Sequence, residues 1–125
     1  MDEQILKLLK KRYPTGVIRV NEFLLPLEDA FQLVDDAEKA GIAILGVSCW
    51  FYGGPGNQFL GEDLVSELSI DNTILSSENA VSESARITRE FLKTELLDYH
   101  TLVEIWLTQN QRVSLMTMLT NDIQH

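Results

Sequence analysis

Cysteine is nearly missing from this chain, and the single one, Cys49, can form no internal disulfide. The fold therefore does not rely on an oxidising compartment, and a reducing cytoplasm is the expected setting. Histidine is as scarce. His100 and the terminal His125, even with Cys49, cannot supply the three or four nitrogen and sulfur ligands of a usual zinc site, so no metal and no other cofactor is expected. Long apolar runs are lacking too: none reaches the ~18 residues of a membrane span, and the opening Met-Asp-Glu has no signal-peptide pattern. Positive charge is short, with ten Lys and Arg against nineteen Asp and Glu, a net charge of −9. Neutralising phosphates supplies most nucleic-acid affinity, so direct nucleic-acid binding is not expected.

Signatures of chemistry are also missing. The run Gly53-Gly54-Pro55-Gly56 lacks both the Lys-Ser/Thr ending of a P-loop and the G-x-G-x-x-G spacing, and Glu62 and Asp63 behind it would repel a phosphate; it reads as a tight turn. No serine stands in a G-x-S-x-G elbow. Cys49 lies in an apolar run, where a thiol behaves as a small hydrophobe. His100 reads as a surface or capping residue.

What is present is one domain's worth of patterned sequence. The 125 residues, 45% hydrophobic, suffice for one core, so residues 1–125 are read as a single domain. Ile5, Leu6, Leu8 and Leu9 recur at helical spacing over the first twelve residues, with basic residues at the C-terminal end before Pro14 and Gly16. Residues 17–25 read as a short strand or extended segment. A second helix starts at Leu25-Pro26-Leu27, carries Leu27, Ala30, Phe31, Val34, Ala37 and Ala40 as one stripe, and stops at Gly41. Residues 42–52 form a nearly continuous apolar run, expected as a central strand covered on both faces. Residues 59–68 fit a helix or a strand. Residues 70–75 read as extended, with Ser76 or Ser77 capping a longest helix over about 78–97. Residues 99–108 alternate as a strand with one partly polar face, and 112–123 read as strand or irregular. The expected class is α+β: one compact domain, a small sheet with about three helices packed on it.

Charge is unevenly distributed. From Glu22 to Glu83 twelve acids face one base, Lys39, whereas outside that window seven acids oppose nine bases. The acidic excess thus lies mid-chain, where it could steer a basic partner. The candidate partner-binding residues are Asp35, Asp36, Glu38, Glu62, Asp63, Glu67 and Asp71, with Tyr52 and Phe59 beside the glycine turn as aromatic anchors. No catalytic residue is proposed. Adjacent pairs such as Glu28-Asp29 and Asp35-Asp36 do not face each other on a helix, so they make no acid–base pair by spacing alone.

The stretch Ala40-Gly41-Ile42-Ala43-Ile44-Leu45-Gly46-Val47 leading to Trp50, then Ser76-Ser77-Glu78 opening a helix with Ser84, Arg89, Phe91 and Leu92, then Leu102-Val103-Glu104-Ile105, is similar to the immunity protein 40 family of bacterial polymorphic toxin systems. The resemblance covers roughly residues 27–108. It implies a cytoplasmic inhibitor without enzymatic activity that binds one cognate protein toxin, often a nuclease. If the toxin is a nuclease, its cleft must be positive to hold phosphates, and the mid-chain acids are the expected contact with that basic active-site surface. Two other readings compete: a small self-associating structural or interaction protein, hence a homo-oligomer, and an enzyme using carboxylates near the glycine loop on a small substrate.

Overall fold

A computed structural model describes residues 3–51, 64–94, 101–108 and 112–121. The glycine turn, Tyr52, Phe59, Glu62, Asp63, Tyr99 and His100 lie outside the described residues. In chain order the elements are α1 (Glu3–Arg12), β1 (Val17–Arg19), β2 (Glu22–Leu24), α2 (Leu27–Lys39), β3 (Ile44–Phe51), β4 (Leu64–Ser69), α3 (Asn72–Leu75), α4 (Ala80–Thr94), β5 (Thr101–Leu107) and α5 (Arg112–Asn121). The class is α+β, with two small antiparallel sheets and, among the described residues, five helices. No helix among them is long and apolar enough to cross a membrane.

The larger sheet has the order β4-β3-β5, antiparallel throughout. β1 and β2 form a hairpin, and Leu25, just beyond it, exchanges both backbone hydrogen bonds with Val103 of β5 at 2.8 and 2.7 Å. The hairpin thereby continues the sheet beyond β5. A bulge at Leu45 inserts one extra residue into β3, so Ile44 and Val47 both face the core while Leu45 turns outward. Ile44, Val47 and Cys49 then pair with Leu107, Ile105 and Val103 on that face.

Helices cover this face alone among the described elements: α2 and α4 pack on each other and on β5 and β3, while α1 and α5 close the layer with Ile5, Leu6, Leu9, Leu115 and Leu119. The helix-to-strand passage is fixed locally. Gly41, at φ +76, takes the left-handed position after α2. Its N–H donates to Glu38 O and that of Ile42 to Ala37 O, the paired bonds of a Schellman stop. Ser84 joins the layers from within, accepting the Ile44 N–H at 3.0 Å.

One open reading closes and three expectations change. Residues 64–69 are a strand, because the free edge of β3 rewards pairing more than the helical spacing of a few leucines rewards a turn. Residues 72–75 are one helical turn and not extended: Asp71 accepts the Thr73 N–H at 2.8 Å and starts it. Ser76 and Ser77 donate back to carbonyls of that turn, so they close α3, and α4 begins later, at Ala80. Residues 112–121 are a helix, held by Leu115 and Leu119, four apart, in the core. In addition, β3 is central as expected, but it is not covered on both faces along its whole length.

Candidate functional site

The face of the sheet turned away from the helices carries Glu67 and Ser69 from β4, Gly46, Ser48 and Trp50 from β3, and Leu102, Glu104 and Trp106 from β5. The register sets these opposite one another: Ser69 and Trp106 flank Gly46, Glu67 and Glu104 flank Ser48, and Leu102 faces Trp50. Period-two alternation makes the assignment, since their neighbours Val47, Cys49, Val103 and Ile105 are buried under the helices.

At one end this face is filled. Glu104 is 3% exposed and lies beside Glu22 of the hairpin. Burial first, then Glu22, push its pKa up to about 7, while Trp50 and Arg19 pull the other way. Arg19 pairs with Glu22 at 3.0 Å and lies over the Trp50 ring, 4.5 Å from its centroid. Glu104 Oε1 and Trp50 Nε1 are buried without a hydrogen-bond partner, so the indole stands near the carboxyl but short of bonding geometry.

At the other end the face is open. Trp106 is 46% exposed, and its Nε1–H donates to Ser48 Oγ at 3.2 Å, which holds the ring in one orientation. Leu45, Gly46, Ser48, Glu67, Leu68, Ser69 and Trp106 line a shallow groove of about 360 Å³. Gly46 creates it: a Cβ there would stand 2.5 Å from the Leu68 carbonyl oxygen, so only glycine fits the bulged backbone, and the missing side chain leaves room beside Trp106. Glu67 is exposed and has no ion-pair partner among the described residues.

The acids expected to form one surface are divided. Asp36 is 6% exposed and corrects the expectation. It accepts two bonds from Arg12, at 2.6 and 3.1 Å, one from Tyr13 at 2.5 Å and one from Gln32 at 3.0 Å, so it is a clamp between α1 and α2. Burial and then Asp36 hold the Tyr13 phenol protonated, its pKa well above the ordinary value. Asp35 and Glu38 turn to α4, where Arg89 meets them at 2.7 and 2.5 Å. The Glu38 bond leads in raising the Arg89 pKa, against burial. These three acids belong to the helix layer. Glu67 is on the opposite side of the sheet. Asp71 is exposed but occupied in capping α3, and Thr73 holds its carboxyl below the usual range.

The sequence reading overlooked Trp106, Ser48 and Gly46, and treated Glu104 only as part of a polar strand face. A signal existed: a glutamate and a tryptophan two apart inside an otherwise apolar strand mark the side that the helices leave. Among the described residues no three His, Cys, Asp or Glu side chains are grouped to hold a metal. No protein-family model matches the chain, and no curated protein and no solved structure matches it either.

Proposed function

We propose that this chain is an immunity-type protein, a cytoplasmic inhibitor that neutralises a cognate protein toxin by binding it. The observation that carries the reading is the half-exposed Trp106, held by Ser48 on the sheet face away from the described helices, beside Glu67, which has no ion-pair partner among the described residues. Leaving so large a ring in water costs free energy that a partner recovers by covering it, and tryptophans in such settings dominate many interfaces. The net charge of −9 favours a basic partner and speeds its approach. A nuclease, whose cleft must be positive to hold phosphates, is such a partner. The acidic contribution comes from Glu67 and from the overall field, not from Asp36, which is buried, nor from Asp35 and Glu38, which Arg89 neutralises.

The test is coexpression with the product of the neighbouring gene, which this reading expects to end in a toxin domain. Survival of the cells and co-purification of the two chains are expected. Unprotected cells and separate elution of two folded proteins would overturn the reading.

One observation favours the enzyme reading, namely the buried Glu104 with its raised pKa beside Glu22. The groove that a substrate would enter is lined by Glu67, Ser48 and Trp106 and not by Glu104. Glu104 stands across Ser48 from Glu67 but is buried and does not line the groove, so the group with the raised pKa is not presented to the accessible space.

A further inference from the structure

We infer that the Trp106–Glu67 groove is a receptor for one arginine side chain of the partner protein, whose guanidinium lies against the Trp106 indole and pairs with the Glu67 carboxylate. This rests on the binding function proposed above and adds the chemistry of its central contact.

The same sheet face already holds one such arrangement. Near the hairpin Arg19 covers the Trp50 ring and pairs with Glu22. At the open end the tryptophan and the glutamate recur, as Trp106 and Glu67, with no arginine between them among the described residues.

The four arginines whose side chains are described are all engaged elsewhere. Arg12 is committed to Asp36, Arg19 to Glu22, Arg86 to Glu83 and Glu90, and Arg89 to Asp35 and Glu38.

Dimensions agree. Trp106 and Glu67 stand on the two strands flanking β3, two strand spacings apart across the sheet and two residues apart along it, about 12 Å between their Cα positions. Between them lie Gly46, which has no side chain, and Ser48, whose hydroxyl already accepts from Trp106. A volume of about 360 Å³ sits at the low end of the ~300–1,000 Å³ usual for small-molecule sites. That suits a side chain better than a cofactor. Arginine is favoured over lysine because its flat, weakly hydrated cation stacks on an indole over a larger area while its edge donates two parallel bonds to a carboxylate, whereas a compact ammonium is more strongly hydrated and makes neither contact as fully.

The probe is N-acetyl-arginine amide, titrated into the full chain with its uncharged citrulline analogue as control, following the two indole N–H resonances by NMR. Trp106→Phe assigns them. The Trp106 signal should move saturably with the arginine probe, with Trp50 unmoved as an internal reference. Glu67→Gln should weaken that binding about threefold to fivefold, the range of an exposed charged contact.

Citrulline shifting Trp106 equally, or Glu67→Gln leaving the titration unchanged, would overturn the assignment. An equal response to N-acetyl-lysine amide would also overturn it, reducing the groove to a general cation site.

A second arm uses the toxin domain. Trp106→Ala should weaken the complex about thirtyfold and Glu67→Gln about fivefold, with the exposed α4 variant Glu90→Gln as an unaffected control. If the toxin binds all variants alike, the groove assignment fails and the inhibitor reading stands. If no toxin binds but the arginine probe does, the inhibitor reading fails and the groove remains.

Discussion

Glu104→Gln should make the protein less stable in acid and more stable in base, and the size of the inversion can be worked from its surroundings. Glu104 is buried on β5 beside Glu22, and its pKa rises from the ordinary 4.5 to about 7. At about 1.4 kcal/mol for each tenfold, ionising it in the folded state costs about 3 kcal/mol. Below the ordinary value both folded and unfolded chains are protonated, and no penalty applies. Between about 4.5 and 7 the unfolded chain releases this proton while the folded chain keeps it, so stability falls as pH rises. Above about 7 the loss is complete and constant.

Glutamine keeps a donor for Glu22 and cannot ionise, but it buries a second amide N–H, which costs about 1 kcal/mol. The variant should therefore be about 1 kcal/mol less stable than the parent near pH 4.5 and about 2 kcal/mol more stable at pH 8. Urea unfolding of both proteins at half-unit pH steps measures the difference, in which titrations common to both chains cancel. A difference constant across the range, or a variant still less stable at pH 8, would refute the buried-acid argument.

Three further substitutions probe the frame around the site. Asp36→Asn removes the buried carboxylate charge that Arg12, Tyr13 and Gln32 share and should cost about 3 kcal/mol by chemical denaturation; a loss below 1 kcal/mol would show the α1–α2 clamp to be ornamental. Gly46→Ala drives a methyl into the Leu68 carbonyl and should cost about 2–3 kcal/mol, with the Trp106 indole resonance displaced; an unchanged melting temperature would mean the bulge relaxes freely. Val20→Gly, at φ +54 in the two-residue hairpin turn, relieves a left-handed β-branched residue and should add about 1 kcal/mol even after the extra backbone entropy of glycine, with a fall in stability as the contrary result.

Much of the fold could be read from local pattern. The α2 stripe with Pro26 before it and Gly41 after it depends on residues within a few positions of each other, and so does the apolar run of β3. Both appear in the structure nearly to the residue. The elements misread were those whose conformation is chosen elsewhere. β4 becomes a strand because β3 offers an edge. α5 becomes a helix because α1 and α2 leave a hole that Leu115 and Leu119 fill. Residues 72–75 escaped for a local reason, a side-chain cap at Asp71 overriding the extended preference of Thr73 and Ile74.

Charge shows the limit most clearly. Composition alone determines that the protein is acidic and that the excess lies between Glu22 and Glu83, because net charge depends only on which residues are present. Whether an acid faces a partner depends on what folds against it, often from far along the chain. Arg12, 24 residues away, takes Asp36 into the interior, and Arg89, 54 residues from Asp35, neutralises that carboxylate and Glu38 together. Glu67 escapes because β4 turns it to the side the helices do not cover, where Trp106 waits on the far strand. Spacing along a chain sets the face of a strand or helix on which a residue stands. Only the packing of those faces decides which charges are spent inside and which remain for another molecule.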